Sequence, residues 1–141
     1  MKLLKILGIS VVALFLVTLI LELTIQDAIY IKVEKTINKP IVTVWKTVAL
    51  DFGNVSNYNP EIKSSTFDSS LMKGVGTKRH YNTNDGGFLK EEIIEWNENE
   101  NFKLKLTESS FPMAMIESKF SFQENGDSTK ITQEFWYRMK S

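Results

Sequence analysis

What acid–base chemistry this sequence offers is concentrated in Arg79, His80, Tyr81 and Glu92, on two segments that flank Asn84-Asp85-Gly86-Gly87. A hairpin with a three-residue turn at Asp85-Gly86-Gly87 is expected to set His80 across from Glu92. A histidine–carboxylate pair of that kind can move a proton, but the same two residue types also make an ordinary cross-strand pair on a wet face, which is their commoner use in sheets. Arg79 and Tyr81 reach a ligand carbonyl only in a register that turns them inward, and a one-residue slip reverses every side chain. No catalytic residue is therefore assigned, and His80, Tyr81 and Glu92 stand as candidates. His80 is the single histidine and cysteine is absent, which excludes a multi-histidine metal site, a thiolate nucleophile and cysteine-bound zinc. No metal and no cofactor are expected. Glu91, Glu92 and Glu95 look like paired carboxylates, yet two of any three neighbouring strand positions share a face by parity alone, so they are read as a solvated face.

The elements that would position these residues begin after a separate N-terminal module. Lys2 and Lys5 introduce an uncharged apolar run from Ile6 to Leu21, and residues 3–25 are long enough as a helix to cross a hydrocarbon core of about 30 Å. The run predicts a signal anchor over residues 1–25, with the N-terminus cytoplasmic and the domain over 29–141 extracytoplasmic, as a single-pass membrane protein. A cleaved signal peptide is the alternative; the segment ELTIQDA after Leu21 lacks the small residues that cleavage needs. The whole chain has 141 residues, 43% hydrophobic and 24% charged, with no net charge. That composition suits one domain, and the mixing of Lys with Glu offers no basic stripe, so nucleic acid is not an expected partner.

Within the body, Ile29, Ile31, Val33 and Ile37 alternate with polar residues as a strand does. Asn38 is read as a helix N-cap and Pro40 as a first-turn residue, opening a helix to about Ala49 whose Ile41, Val44, Trp45 and Val48 share one face. Trp45 is thereby expected in the core. Asp51–Pro60 reads as a broken helical turn packed by Phe52, Val55 and Tyr58. From Pro60 onward six strands are predicted, over 62–71, 77–83, 88–96, 102–109, 116–123 and 129–138, separated by Gly- and Asn-rich turns that imply an antiparallel meander. Phe102, Leu104, Leu106, Ile116, Phe120, Phe122, Ile131, Phe135 and Tyr137 form an apolar face that one short helix cannot cover, which leaves a cavity, a missing element or a partner. Met113 beside Phe111-Pro112 is either a compliant cavity mouth or ordinary strand-start packing.

The strand VEKTIN, Pro40 with Val44-Trp45, Asp51-Phe52 and Tyr58-Asn59-Pro60 come first in a longer pattern. Gly74-Val75-Gly76-Thr77 then precedes a strand with Arg79, Gly86-Gly87 one with Glu91-Glu92, and Pro112 follows the fifth strand. In this order, over about 31–137, the sequence resembles the SRPBCC or START-related superfamily, in its polyketide cyclase and dehydrase / lipid transport type. The resemblance implies an α+β helix-grip fold: a curved antiparallel sheet with short N-terminal helices, wrapped around a long C-terminal helix over a hydrophobic cavity. Only Arg138–Ser141 follow Tyr137, so that last helix is expected to be missing, through truncation or because something else covers the sheet. The implied function is membrane-tethered binding of a lipid or other hydrophobic small molecule. Trp45, Phe52, Tyr58, Tyr81, Leu104, Met113, Phe120 and Phe135 are the candidate ligand-binding residues, and the membrane is met through residues 3–25. A cyclase- or dehydratase-like enzyme and a non-catalytic accessory or stress-response domain are the alternatives, and oligomeric state is left open.

Overall fold

Alternation in the first segment produces β1 (Ile29–Ile37), and the runs after Pro60 produce β2 (Ile62–Phe67), β3 (Lys78–Thr83), β4 (Phe88–Asn97), β5 (Asn101–Ser109), β6 (Met113–Asn125) and β7 (Ser128–Met139). These elements are seen in a computed structural model that describes residues 28–140. All seven strands belong to one antiparallel sheet ordered β1-β7-β6-β5-β4-β3-β2. The meander is therefore as predicted from β2 to β7. β1 closes the free edge of β7, with Ile29 opposite Tyr137 and Ile37 opposite Thr129. Irregularities in the β4–β5 register, at Lys90/Glu91 and Ile93/Glu95, bend the sheet in its middle, because an extra residue on one strand increases local twist. β2 stops at Phe67, short of the predicted Leu71, and β6 starts at Met113 rather than Ile116.

The helical segment opens as α1 (Ile41–Trp45) and continues as a wider turn of π type over Lys46–Leu50. Asn38 does not cap it: Pro40 occupies the cap position, and no side chain makes a capping hydrogen bond there. The chain is instead held at this corner by a tight turn, Lys39 N–H to Ile37 O at 2.8 Å, and by the Thr129 hydroxyl donating to Lys39 O at 2.8 Å. Phe52–Asn57 then forms the short 3₁₀ turn that the Asp51–Pro60 composition implied.

Trp45 is the wedge that these turns drive into the concave face. It is 1% exposed and meets Trp96, Phe122 and Phe102 edge-on, with ring centroids 4.9, 5.1 and 5.9 Å away. Its buried Nε1–H finds no acceptor among the described residues, a cost that the aromatic packing must outweigh. Beside it Phe52 and Ile93 are wholly buried. This core fills one end of the groove only. Toward the other edge, Ile29, Ile31 and Val33 on β1 lie opposite Tyr137, Phe135 and Gln133 and remain about half-exposed. Among the described residues no helix follows β7.

No helix of the described residues is long and apolar enough to cross a membrane. The anchor predicted over residues 1–25 lies outside the described residues.

Two substitutions test this packing by chemical denaturation of the full chain. Trp45→Ala should lower stability by about 3–5 kcal/mol, the usual loss for a buried indole. Gly53→Ala should cost about 1–3 kcal/mol, because a Cβ there would collide with the Phe67 ring. Little change at Gly53 would mean that the 3₁₀ turn does not sit on β2 as described.

Candidate functional site

The β3–β4 turn decides which side chains face the groove. Thr83 N–H donates to Gly87 O at 2.9 Å, which makes Asn84-Asp85-Gly86 the loop, and Gly86 takes the left-handed φ of +89° that the turn requires. From there the register runs Arg79 opposite Glu91, His80 opposite Lys90 and Lys78 opposite Glu92. The expected His80–Glu92 pair does not form, since the loop falls one residue earlier than Asp85-Gly86-Gly87 and moves each partner by two positions. A two-residue shift keeps parity, so His80 and Glu92 still share a face, the convex one. There His80 packs edge-on against Phe88 at 5.6 Å, with its Nε2 buried and unpartnered among the described residues. Ion pairs knit the same convex face, Lys90–Glu108 at 2.9 Å and Lys103–Glu117 at 2.7 Å. Two of the three catalytic candidates are thus turned away from the groove.

The same parity turns Arg79, Tyr81 and Glu91 inward. Glu91 is not part of a solvated face: it is 5% exposed, and Arg79 is 7% exposed. Arg79 Nε and Nη2 donate to Glu91 Oε2 at 2.8 and 2.7 Å, and Nη1 donates to the Phe52 carbonyl at 3.2 Å. The guanidinium lies 4.1 Å from the centroid of the Phe52 ring and 5.3 Å from that of Tyr81. Tyr81 O–H donates to Glu91 Oε1 across a long 3.4 Å. Burial works against the Arg79 charge, but Glu91 together with Tyr58 and Tyr81 outweighs it and the guanidinium titrates above its ordinary value. Burial, reinforced by Glu91, pushes the Tyr81 phenol far up and keeps it protonated. Such an ion pair repays its desolvation only through close geometry and further hydrogen bonds, and this one has both.

Around this pair lies a cavity of about 230 Å³. Leu104, Phe120 and Phe135 line it from β5, β6 and β7, while Val55, Tyr58 and Ile62 line it from the 3₁₀ turn, the loop after it and the start of β2. The register explains the sheet side: Leu104 pairs with Ser118 and Ser118 with Phe135, while Phe102 pairs with Phe120. Burial raises the Tyr58 phenol above its usual range, with Arg79 pulling the other way.

Of the candidate ligand-binding residues, Tyr58, Tyr81, Leu104, Phe120 and Phe135 come together at this cavity. Trp45 and Phe52 do not line it; they sit in the packed core, and Phe52 reaches the cavity wall only through its contacts with Arg79. Met113 opens β6 opposite Met139, away from the cavity lining. Sequence reasoning missed Glu91, Ser118 and Gln133 as lining residues. Glu91 was recoverable: once Tyr81 is taken inward, Arg79 and its cross-strand partner must follow. Ser118 and Gln133 carried no signal, because a hydrophobicity pattern reads them as gaps in an apolar face. They meet across β6 and β7, with Gln133 Nε2 donating to Ser118 Oγ at 3.3 Å.

Comparison with solved structures places this architecture among known folds. A START superfamily protein from Mycobacterium smegmatis is similar with a TM-score of 0.69 and 18% identity, over 79% of this chain and 78% of its own. The major latex-like protein 151 of Panax ginseng is similar with a TM-score of 0.71 and 16% identity, over 82% of each chain. No curated protein matches in sequence. The family model for polyketide cyclase / dehydrase and lipid transport matches residues 28–141. The curved sheet, the short helices and the groove are thus those of a START-like fold, and the chain belongs to the polyketide cyclase / dehydrase and lipid transport family.

Proposed function

We propose that this protein binds a compact hydrophobic small molecule in the groove cavity while tethered to a membrane through residues 3–25. The observation that carries the reading is the cavity itself: apolar walls from three strands and a 3₁₀ turn, converging on one buried polar cluster. Concave apolar sites with few placed polar groups are the usual form of a small-molecule site. At about 230 Å³ it is below the roughly 300–1,000 Å³ of drug-sized pockets, which suits a small ligand or one end of a longer lipid. The family's description includes lipid transport, in keeping with an apolar ligand.

Binding fits the polar wall better than turnover does. Glu91 is already bonded to Arg79, and burial holds the Tyr81 phenol protonated, so the phenol is not poised to give up its proton near neutral pH. Tethering follows from Lys2, Lys5 and the apolar run Ile6–Leu21, which orient the N-terminus to the cytoplasm and the domain to the other side. A tether of this kind holds the cavity beside the phase in which apolar ligands concentrate, raising their effective concentration.

Two outcomes check the reading. Naphthalene should bind the full chain held in lipid nanodiscs, by calorimetry against empty nanodiscs. Ser118→Trp, which places an indole between Leu104 and Phe135, should weaken that binding by at least about tenfold with the circular dichroism spectrum retained. Equal binding by the variant would remove the cavity as the site. For the tether, the full chain should stay with membranes through an alkaline carbonate wash, and a chain lacking residues 2–25 should be released. Extraction of the full chain would count against a spanning segment.

A further inference from the structure

The two edges of the sheet are built differently. β2 is six residues long with a register irregularity at Ile62/Ser64, and the 3₁₀ turn lies against it, Ser56 N–H donating to Ser65 Oγ at 3.0 Å. Bulges and covering loops are common ways of blunting an edge. β1 has neither. It runs nine residues in unbroken register along β7, and all of them except Ile37 are exposed. α1 packs over β6 and β7, and among the described residues β7 is the only strand beside β1. The alternate N–H and C=O groups of β1 that point away from β7 therefore have no strand partner among the described residues.

We propose that β1 pairs antiparallel with β1 of a second copy of this chain, about a two-fold axis through Val33, joining two seven-stranded sheets into one. A two-fold axis normal to the sheet keeps concave residues on the concave side, so only residues of equal parity stand opposite each other. Of the registers that remain, the one centred on Val33 pairs all nine residues, setting Ile29 opposite Ile37 and Ile31 opposite Lys35 of the second copy. Charges on an edge strand usually deter self-pairing, because identical strands bring like charges together. Here Lys32 and Glu34 flank Val33 on the convex face, so the same register sets Lys32 of each copy opposite Glu34 of the other. Centring on Lys32 or on Glu34 instead puts like charges face to face. Full overlap and charge complementarity thus select one register independently. Within one chain Glu34 meets Lys32 at 3.0 Å and Lys130 at 3.2 Å, exposed pairs that exchange partners at little cost. On the concave side Val33 meets its counterpart, Ile29 meets Ile37 and the Lys35 stem lies along Ile31, which covers three apolar residues left about half-exposed in the single chain.

Cross-linking tests the pairing, because the chain has no cysteine and one introduced thiol can join only its own counterpart. Val33→Cys sets two thiols across the axis at a Cα separation of about 4.5–5.5 Å, within disulfide range. Ile31→Cys sets them about 13 Å apart, four residues along the strand. Oxidation of the full chain by copper phenanthroline in a nonionic detergent, read on a non-reducing gel, should give at least about tenfold more dimer from Val33→Cys than from Ile31→Cys. Glu34→Lys added to Val33→Cys should cut that yield by about fivefold, and adding Lys32→Glu as well, which reverses both signs, should restore it. These positions are exposed, so the circular dichroism spectrum should not change. Neither arm uses the cavity or the membrane segment, so the outcome is independent of the binding reading. A Val33→Cys yield no higher than that of Ile31→Cys overturns the pairing, and a yield that Glu34→Lys leaves unchanged overturns the register.

Discussion

Putting a guanidinium in the wall of an apolar groove constrains nearly everything around it. Desolvating Arg79 would cost several kcal/mol if its charge were left alone, so its position demands Glu91 at hydrogen-bonding distance, a free carbonyl from Phe52 and aromatic faces on either side. Each demand fixes a different element. Glu91 locks β3 to β4 in one register; the Phe52 carbonyl locks the 3₁₀ turn over β3; and the Phe52 ring ties that turn to Phe102 in the core, 6.2 Å away. A one-residue slip of β3 would leave the cation outside and the anion buried, so the pair acts as a register pin as well as a cavity wall.

The groove is divided by the same economy. Trp45 and its ring of aromatics occupy the end beneath α1, where side chains from β4, β5 and β6 are long enough to meet it. Past Phe52 the facing residues turn small or polar: Ser118 on β6 and Gln133 on β7 take positions that a larger apolar chain would fill. Two aromatic neighbours, Phe120 and Phe135, then face open volume rather than each other. Cavity and core are consecutive stretches of one apolar face, separated by where the large residues stop.

How much of this could be read from the sequence follows from how local each signal is. Strand existence, the meander and the Trp45 helix were legible, because alternation, turn residues and i, i+3, i+4 spacing are decided within a few residues. The 3₁₀ turn was visible in its composition. The helix cap was not: Asn38 has the right chemistry, but Thr129, distant in sequence, holds the corner instead. The site was misread at the β3–β4 loop, at Glu91, and in giving lining roles to Trp45, Phe52 and Met113. Placing the loop one residue late paired His80 with Glu92, and reading Glu91 as one of a solvated row hid the ion pair. Local pattern has no term for a buried charge whose partner lies across a hairpin, so the residues with the greatest consequence were those that hydropathy describes worst.

That blind spot bears on how the groove would discriminate in the proposed binding role. An apolar pocket alone separates ligands weakly, since one methylene changes affinity by only about 1–3 kcal/mol. A polar group buried in the wall is a sharper filter, because a ligand that fails to match it leaves a donor or acceptor unsatisfied in a dry site. Here the polar wall is neutral overall although its parts are charged, and the same bonds hold β3, β4 and the 3₁₀ turn together. The cavity lining and the fold therefore cannot be varied independently at this wall. Changing Glu91 or Arg79 alone would alter both the cavity wall and the register that forms it, whereas Phe135 lines the cavity without taking part in that ion pair and Phe120 also stacks on Phe102 in the core.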